Sequence, residues 1–268
     1  MAIALVALPL TAATQTPIRS GRVAGVIQVG ERVGGSLSSD DPQFPGDSTY
    51  FQRWILPVNA KQAFTVELVS RDFDASVILT RGGGDTVAAD NDLSDDNTGG
   101  AYYARLVYLA QDNHPLRIVF NTGLSRPPSG ERFILSVSEA HVIAIGQTQQ
   151  GTLSRNDRRL LWRDLTYHQS WAIEGRAGQT VTIDLESVDF DARLFLQGPG
   201  ISDRRSGFSE DDNSGGNCNA RLTATFPRNG VYEIEVNATG ENATGRFTLS
   251  VTSGSKPKSV ARCSRSSQ

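Results

Sequence analysis

Residues 64–79 read FTVELVSRDFDASVIL and residues 181–196 read VTIDLESVDFDARLFL, so one pattern occurs twice in the chain. In each stretch apolar and polar residues alternate, with Phe64, Val66 and Leu68 on one side of the first. A period of two is typical of β-strands with one buried face, because successive side chains point to opposite faces of a sheet. Both stretches therefore predict strands that face a hydrophobic core.

Further motifs follow both stretches in the same order and at nearly the same spacing. The acidic sequence DDNTGG at 95–100 returns as DDNSGG at 211–216, and RFILSV at 132–137 returns as RFTLSV at 246–251. A near-constant spacing of a whole domain length indicates tandem duplication rather than a short-period solenoid. The chain is therefore predicted to contain two copies of one domain.

Turn-forming sequences separate the predicted strands, such as GGG at 82–84 and GPG at 198–200. Short strands with one apolar face each require two antiparallel sheets packed face to face. We therefore predict an all-β protein of two tandem antiparallel β-sandwich domains, jelly-roll-like, with about eight strands each. The predicted divisions are a signal peptide and leader at 1–22, sandwich 1 at 23–139, sandwich 2 at 140–253 and a basic disordered tail at 254–268.

Composition limits the partners and the location of the protein. Its 268 residues carry a formal net charge of −3, whereas nucleic-acid-binding proteins have a clustered basic surface. Residues 1–10 form an apolar run too short to span a bilayer, and small residues after it suit cleavage behind Ala13. These features predict a secreted or periplasmic protein with no membrane span after signal cleavage and no nucleic-acid partner.

The chain has two cysteines, Cys218 and Cys263. In an exported protein they could pair and tie the C-terminal tail to the acidic loop of the second copy. The alternative is two unpaired thiols, because the sequence does not give the separation of their Cα atoms.

The motifs have a recognisable order. Each copy has Gly-x-Leu, a Trp strand, a Thr-rich strand ending in Ser, Asp-Phe-Asp, an acidic Gly-rich loop and a closing Phe-x-Leu-x-Val strand. This order resembles the bacterial pre-peptidase C-terminal (PPC) domain family, small β-sandwiches attached to many secreted proteases. The matching residues are Gly35, Leu37, Trp54, 65–70, 72–74, 90–96 and 133–137 in the first copy, and Gly151, Leu153, Trp171, 182–187, 189–191, 211–212 and 247–251 in the second.

The resemblance implies secretion and a non-catalytic role beside a peptidase, and some related modules bind calcium or matrix proteins. In this sequence no peptidase domain precedes the repeats, a departure from the usual arrangement of the family, so we expect no protease activity to carry over from the resemblance. We expect an exported non-catalytic binding or accessory protein whose partner is a secreted peptidase, an extracellular protein or a polysaccharide. The alternatives are a carbohydrate- or matrix-binding module and a hydrolase with a site assembled between the sandwiches.

Acidic residues offer a calcium site in each copy, because Ca²⁺ takes six to eight hard oxygen ligands. On a predicted strand, both carboxylates of Asp-Phe-Asp leave one face while the Phe points to the core. The alternative is structural, with one Asp accepting backbone N–H bonds at a turn and the other facing solvent. The candidate ligands are Asp72, Asp74, Asp90, Asp92, Asp95 and Asp96 in the first copy, and Asp189, Asp191, Glu210, Asp211 and Asp212 in the second.

No catalytic motif stands out. His114, His141 and His168 do not recur at equivalent places in the two copies, and His168, on a predicted strand, is expected to be partly exposed. The chain lacks the zinc-protease His-Glu-x-x-His, the Gly-x-Ser-x-Gly elbow, the P-loop and the Rossmann fingerprint. A Ser-His-Asp site assembled by folding stays open as the hydrolase alternative.

Arg105 and Arg221 recur within Ala-Arg-Leu after the acidic loop of each copy. We interpret each as one half of a local salt bridge, to Asp95 and to Asp211 respectively, because these acids are close in sequence. The alternative is an arginine that binds a ligand.

Overall fold

The computed structural model describes residues 23–44, 48–81, 86–90, 102–121, 126–159, 165–201 and 209–264. These residues form nineteen β-strands. No helix in this part of the chain is long and apolar enough to cross a membrane. The predicted signal peptide and leader lie outside the described residues.

The first repeat contributes nine strands. They are β1 (Val23–Val26), β2 (Arg32–Ser36), β3 (Phe51–Leu56), β4 (Ala63–Ser70), β5 (Ser76–Thr80), β6 (Thr86–Asp90), β7 (Tyr102–Leu109), β8 (Leu116–Asn121) and β9 (Arg132–Glu139).

The second repeat contributes ten strands. They are β10 (His141–Val142), β11 (Thr148–Leu153), β12 (Arg158–Arg159), β13 (Tyr167–Gly175), β14 (Thr180–Glu186), β15 (Ala192–Gln197), β16 (Ser209–Asp211), β17 (Ala220–Thr225), β18 (Gly230–Ala238) and β19 (Gly245–Ser253).

Both repeats have the same topology. The first forms sheets of order β1-β3-β8-β5-β6 and β2-β9-β4-β7, and the second forms β10-β13-β18-β15-β16 and β11-β19-β14-β17, with β12 added beside β13. The predicted all-β sandwich architecture is confirmed. One detail differs, because the short edge strands β1 and β10 pair parallel to β3 and β13, whereas the prediction was purely antiparallel.

Each repeat has its own hydrophobic core between its two sheets. The alternating residues predicted to face inward do so: Val181, Ile183 and Leu185 are all at most 1% exposed. Trp54 and Trp171 occupy the same register, opposite Ile118 and Ile234, but only Trp171 is fully buried.

The Gly-x-Leu and Phe-x-Leu-x-Val motifs depend on each other. Gly35 pairs with Phe133, and a Cβ added to this glycine would lie 2.5 Å from the phenyl ring. Gly151 pairs with Phe247, and there the distance would be 2.3 Å. The ring therefore covers the glycine in both repeats, an arrangement that fixes strand register.

The Asp-Phe-Asp motifs lie in turns, so the prediction that they lie on strands was wrong. Strand β4 ends at Ser70, whose Oγ accepts the N–H groups of Asp72 and Phe73 at 3.0 and 3.2 Å. Ser187 does the same for Asp189 and Phe190 in the second repeat. A serine hydroxyl that bonds backbone amides two and three residues ahead turns the chain out of the sheet.

The C-terminal segment also differs from expectation. Its basic composition predicts disorder, yet residues 254–257 bond side chains of strands β14 and β17, and the Ser259 N–H donates to the Ser214 carbonyl at 2.8 Å. The Lys256 N–H donates to Thr182 Oγ1 at 3.0 Å, and Lys256 Nζ lies 2.8 Å from Asp184. Cys218 and Cys263 form a disulfide, the first of the two predicted alternatives. Specific contacts and a crosslink therefore order a segment that composition describes as tail.

Candidate functional site

The first Asp of each Asp-Phe-Asp motif has a structural partner. Asp72 Oδ2 accepts the Arg132 backbone N–H at 2.7 Å, and Asp189 Oδ2 accepts that of Arg246 at 2.8 Å. Each carboxylate thus joins its turn to the start of the closing strand. This geometry matches the structural alternative for the first Asp of each pair.

In the second acidic loop, Asp211 Oδ1 accepts the N–H groups of Ser214 and Arg221, both at 2.9 Å. Glu210 lies 3.5 Å from Arg193, and Asp212 is exposed. The loop acids therefore serve turn formation and a surface ion pair.

The remaining calcium candidates lie elsewhere. Asp74 is exposed, the side chain of Asp90 is outside the described residues, and so are Asp92, Asp95 and Asp96. Among the described residues, one group of three potential metal ligands comes together, Asp191 with Cys218 and Cys263, and its two sulfurs are joined in the disulfide. Calcium binding by the acidic loops stays a prediction.

Asp95, the partner predicted for Arg105, lies outside the described residues, and Arg105 has partners that the sequence did not predict. Its guanidinium reaches out of the first repeat and into the second, where it contacts Glu233 and lies 2.8 Å from Glu235. Its Nη2 also donates to Ser170 Oγ at 2.7 Å. The arginine is 3% exposed, so this is a buried ion cluster that joins the two sandwiches.

The first repeat supplies further members of this cluster. Glu67, beside Arg105 on the neighbouring strand β4, lies 3.6 Å from it and 3.1 Å from Arg158. Tyr103 donates its hydroxyl hydrogen to Glu67 at 2.7 Å. A smaller apolar contact of Ala63, Val107 and Ala172 packs beside the charges. The interface is therefore closed to water at its centre.

Burial and charge set the protonation of the cluster. Burial raises the pKa of Glu235 to about 8, against the attraction of Arg105, so this carboxyl is mainly protonated at neutral pH. Burial would likewise raise the pKa of Glu67, but the charges of Arg105 and Arg158 outweigh it and leave that pKa below its usual range. Because Glu235 is neutral, the cluster holds one negative charge fewer, and the number of its carboxylates is closer to the number of its arginines.

Arg221 occupies the place in the second repeat that Arg105 has in the first. It is paired with Asp184, with Nε 2.5 Å from Oδ1, rather than with the side chain of Asp211 as predicted. The C-terminal segment covers this pair, and Arg221 Nη1 donates to the Pro257 carbonyl at 2.8 Å. The same face of the sandwich is thus covered by a second domain in one repeat and by the C-terminal segment in the other.

A groove of about 500 Å³ lies between the two sandwiches next to the ion cluster. The first repeat lines it with the turn before β2 and the end of β9, including Arg32 and Ser138. The second repeat lines it from β12, β13 and the turn before β12, including Asp157, His168 and Ser170. A smaller hollow of about 360 Å³ shares two lining residues, His141 and Gln169, with the groove.

His168 is buried in the wall of this groove at 5% exposure, which corrects the expectation of partial exposure. Burial lowers the pKa of its imidazole to about 3, and the charge of Arg105 adds to the effect. The imidazole bonds the backbone of Arg158, and no described residue is a hydrogen-bond partner of its Nδ1. His168 is therefore neutral, with one ring nitrogen unsatisfied.

Ser170, His168 and Asp157 share the groove but do not form a catalytic triad. Ser170 Oγ accepts from Arg105, and Asp157 accepts from Gln169 Nε2 at 3.1 Å and from the Ser154 N–H at 2.6 Å. A triad needs a serine that donates to a histidine and a histidine that donates to the acid. The described residues contain no such relay at this place.

Sequence reasoning missed the acids Glu67, Glu233 and Glu235. They stand on the polar sides of strands β4 and β18, where alternation predicts solvent exposure. The sequence signal that could have indicated these acids is Arg105, which recurs in both copies. We interpreted it as half of a local salt bridge.

No protein-family model matches the chain, and a search of curated proteins finds no match. Among solved structures, the chain is similar to the pre-peptidase C-terminal domain of collagenase from Bacillus anthracis, at 15% identity and a TM-score of 0.33, over 42% of this chain and 94% of that domain. It is also similar to PliG, a periplasmic inhibitor of g-type lysozyme from Salmonella Typhimurium, at 19% identity and a TM-score of 0.29, over 43% of this chain and all (100%) of that one.

A third similarity, to the CUB1-EGF-CUB2 domains of rat MASP-1, has 11% identity and a TM-score of 0.23, over 84% of this chain and 99% of that one. These similarities carry no argument about function, so the function has to be derived from the chemistry of the site itself.

Proposed function

We propose that the chain is an exported, non-catalytic binding or accessory protein made of two PPC-like sandwiches, with its ligand surface in the interdomain groove. The observation that carries the proposal is the buried cluster around Arg105. A charge network with under one tenth of each main member exposed fixes two domains in one orientation, and the groove beside it then has a fixed shape. Preformed concave sites of this size are typical of ligand binding.

The chemistry of the groove favours binding over hydrolysis. A general base works best with a pKa near the working pH, whereas the pKa of His168 is lowered to about 3. The Ser170 hydroxyl oxygen is occupied by a guanidinium that would have to leave before the serine was activated. Both features indicate that His168 and Ser170 position a ligand and do not react with it.

The PPC resemblance of the sequence extends the proposal to a setting. It favours a secreted or periplasmic location and a partner that is a secreted peptidase, an extracellular protein or a polysaccharide. Calcium bound by the acidic loops is the proposed cofactor.

The purified chain tests the non-catalytic claim. Fluorescent casein and a p-nitrophenyl ester, incubated with it in calcium and in EDTA, should both stay intact. Peptide or nitrophenol release that is lost in Ser170→Ala but retained in Ser129→Ala, a serine in a turn away from the groove, would overturn the proposal.

A further inference from the structure

Asp191 and the disulfide lie together where strands β15 and β17 begin. One carboxylate oxygen of Asp191 and the sulfur atoms of Cys218 and Cys263 all lie within 4.8 Å of one another. Asp191 is the second Asp of its motif, and the first, Asp189, already bonds the start of the closing strand. None of the three side chains lines the interdomain groove. They form a compact group whose one described role is the crosslink.

The two repeats differ at this place. Asp74 is the counterpart of Asp191 in the first repeat, but Tyr102 stands where the second repeat has Cys218. Cys263 belongs to the C-terminal segment, and the first repeat is followed by strand β10 instead. The sandwich fold therefore forms without either sulfur in the first repeat, while the second repeat has both beside the Asp of the motif.

Contacts other than the disulfide keep the three side chains close to one another. The N–H of Ala192, the residue after Asp191, donates to the Cys218 carbonyl at 2.9 Å. The segment that carries Cys263 is bonded to strands β14 and β17, and it approaches the turn before Cys218 where the Ser259 N–H donates to the Ser214 carbonyl. We therefore expect the three side chains to remain neighbours when the bond between the sulfurs is opened.

Reduction changes the charge that this group can carry. A dithiol opens the disulfide by thiol exchange, which leaves two thiols on the protein and converts the dithiol to a cyclic disulfide. A thiol that ionises here brings a negative charge next to Asp191, whose Oδ2 lies 3.9 Å from Cys263 Sγ. Like charges at this distance oppose each other, and a divalent cation between them removes the repulsion. The reduced group therefore favours a bound cation.

The ligand atoms and their spacing select zinc. Thiolates are soft ligands that suit Zn²⁺, whereas Ca²⁺ takes six to eight hard oxygens. Tetrahedral zinc with Zn–S bonds of about 2.3 Å and Zn–O bonds of about 2.1 Å places its oxygen and sulfur ligands about 3.6 Å apart. The observed 3.9 Å between Asp191 Oδ2 and Cys263 Sγ is near this value. The two sulfurs must separate to about 3.8 Å in the same geometry, a change that rotation of their side chains supplies.

The group lies near enough to the surface for an ion to reach it. Cys218 is 1% exposed, but Asp191 and Cys263 are only half-buried. A metal at this place would rest on the buried sulfur and have its other two protein ligands on the outer side. Three protein ligands leave one tetrahedral position for water.

We propose that Asp191, Cys218 and Cys263 form a zinc site in the reduced protein, and that the disulfide and the zinc-bound dithiolate are alternative states of this site. Zinc binding releases the two thiol protons to solvent. Return to the disulfide passes two electrons to a disulfide oxidant and releases the metal. In both states Cys263 fastens the C-terminal segment to the second repeat, so zinc replaces the crosslink when the disulfide is reduced.

Titration of the reduced full chain with Co²⁺ tests the proposal, because tetrahedral cobalt with thiolate ligands has a sulfur charge-transfer band and intense visible absorption. After treatment with dithiothreitol and its removal, the chain should develop this spectrum with one Co²⁺ per chain, and Zn²⁺ should abolish it. The oxidised chain should not develop it.

Variants test the three ligands. Asp191→Asn should weaken zinc binding by more than about tenfold, because removing even a residue that only supports a ligand costs about 10–100-fold. Asp212→Asn, at an exposed acid of the neighbouring loop, is the matched control and should bind zinc as the wild type does. Cys263→Ser should lose the thiolate spectrum in large part, and Asp191→Asn decides the matter if the serine variant does not fold.

Melting curves distinguish zinc held by the folded site from zinc held by the thiols of an unfolded chain. Zinc at the folded site should raise the melting temperature of the reduced wild type, whereas binding to the unfolded chain should lower it. No cobalt spectrum in the reduced chain, an equal spectrum in the oxidised chain, a lowered melting temperature, or equal zinc affinity in Asp191→Asn and wild type would each overturn the inference. The casein and ester assays use the oxidised chain, so failure of the proposed function is detected separately.

Discussion

Replacing Glu235 with glutamine tests the buried cluster through its pH dependence. Glutamine has the shape of the protonated acid but cannot ionise. In the folded protein the pKa of Glu235 is raised from 4.5 to about 8, so between these values the folded state holds a proton that the unfolded state has lost. Stability from this group is therefore complete below about pH 4.5 and falls as pH rises, by about 1.4 kcal/mol per pH unit, until about pH 8.

His168 acts in the opposite direction at lower pH. Its pKa is lowered from 6.5 to about 3, so the unfolded state holds the extra proton and stability rises with pH across that window. The two effects oppose each other up to about pH 6.5, and above it Glu235 acts alone. The charges of Arg105 and Arg158 hold the pKa of Glu67 below its usual range despite burial, and the nearby carboxylates raise the pKa of Arg105 despite its burial, so neither group titrates in this window.

Urea unfolding at half-unit steps from pH 6 to 9 measures the effect. The free energy of unfolding of wild type should fall relative to Glu235→Gln by roughly 2 kcal/mol between pH 6.5 and 8 and then level off. Glu174→Gln, which alters an exposed acid on the neighbouring strand β13, should run parallel to wild type. If the Glu235→Gln curve is also parallel to wild type, the carboxyl is not buried as described and the reasoning fails.

Further predictions concern local features. Gly35→Ala should destabilise the fold by about 1–3 kcal/mol in urea melts because its methyl group meets a phenyl ring, whereas Gly34→Ala, with nothing within 4 Å, should cost less than half as much. Cys263→Ser should lower the free energy of unfolding by about 2–4 kcal/mol and increase tryptic cleavage after Lys258; unchanged cleavage would contradict the docked segment. If the acidic loops bind calcium, as the sequence predicts, the wild-type protein should melt at a higher temperature in millimolar calcium than in EDTA. Asp189→Asn should lower the melting temperature in both buffers. Identical wild-type melting temperatures in the two buffers would leave the acids with a structural role only.

The sequence predicted those features that depend on local alternation. The inward faces of strands such as β14, the duplication and the sandwich class all follow from a period of two that occurs twice. The turn at Asp72 was missed because the same alternation continues through it, and only the Ser70 hydroxyl, bonded to the backbone, ends the strand. Local pattern cannot distinguish such a cap from the strand that it terminates.

The candidate site was less predictable because it is made between domains. Arg105 finds its acids in strand β18, more than one hundred residues away, and nothing in its own neighbourhood indicates this. Glu233 and Glu235 look like exposed residues until a second sandwich covers them. The C-terminal segment is similar, since its order depends on Cys263 and on a lysine that meets Asp184.

Differential scanning calorimetry of Arg105→Ala tests the central claim, that one buried ion cluster holds the two sandwiches together and shapes the groove. Removing the arginine leaves Glu67 and Glu233 buried without their main partner, a loss of about 3–5 kcal/mol at the interface. Wild type should unfold in one cooperative transition, and the variant should show two transitions, because each repeat keeps its own core. A single transition in the variant at the wild-type temperature would contradict the account.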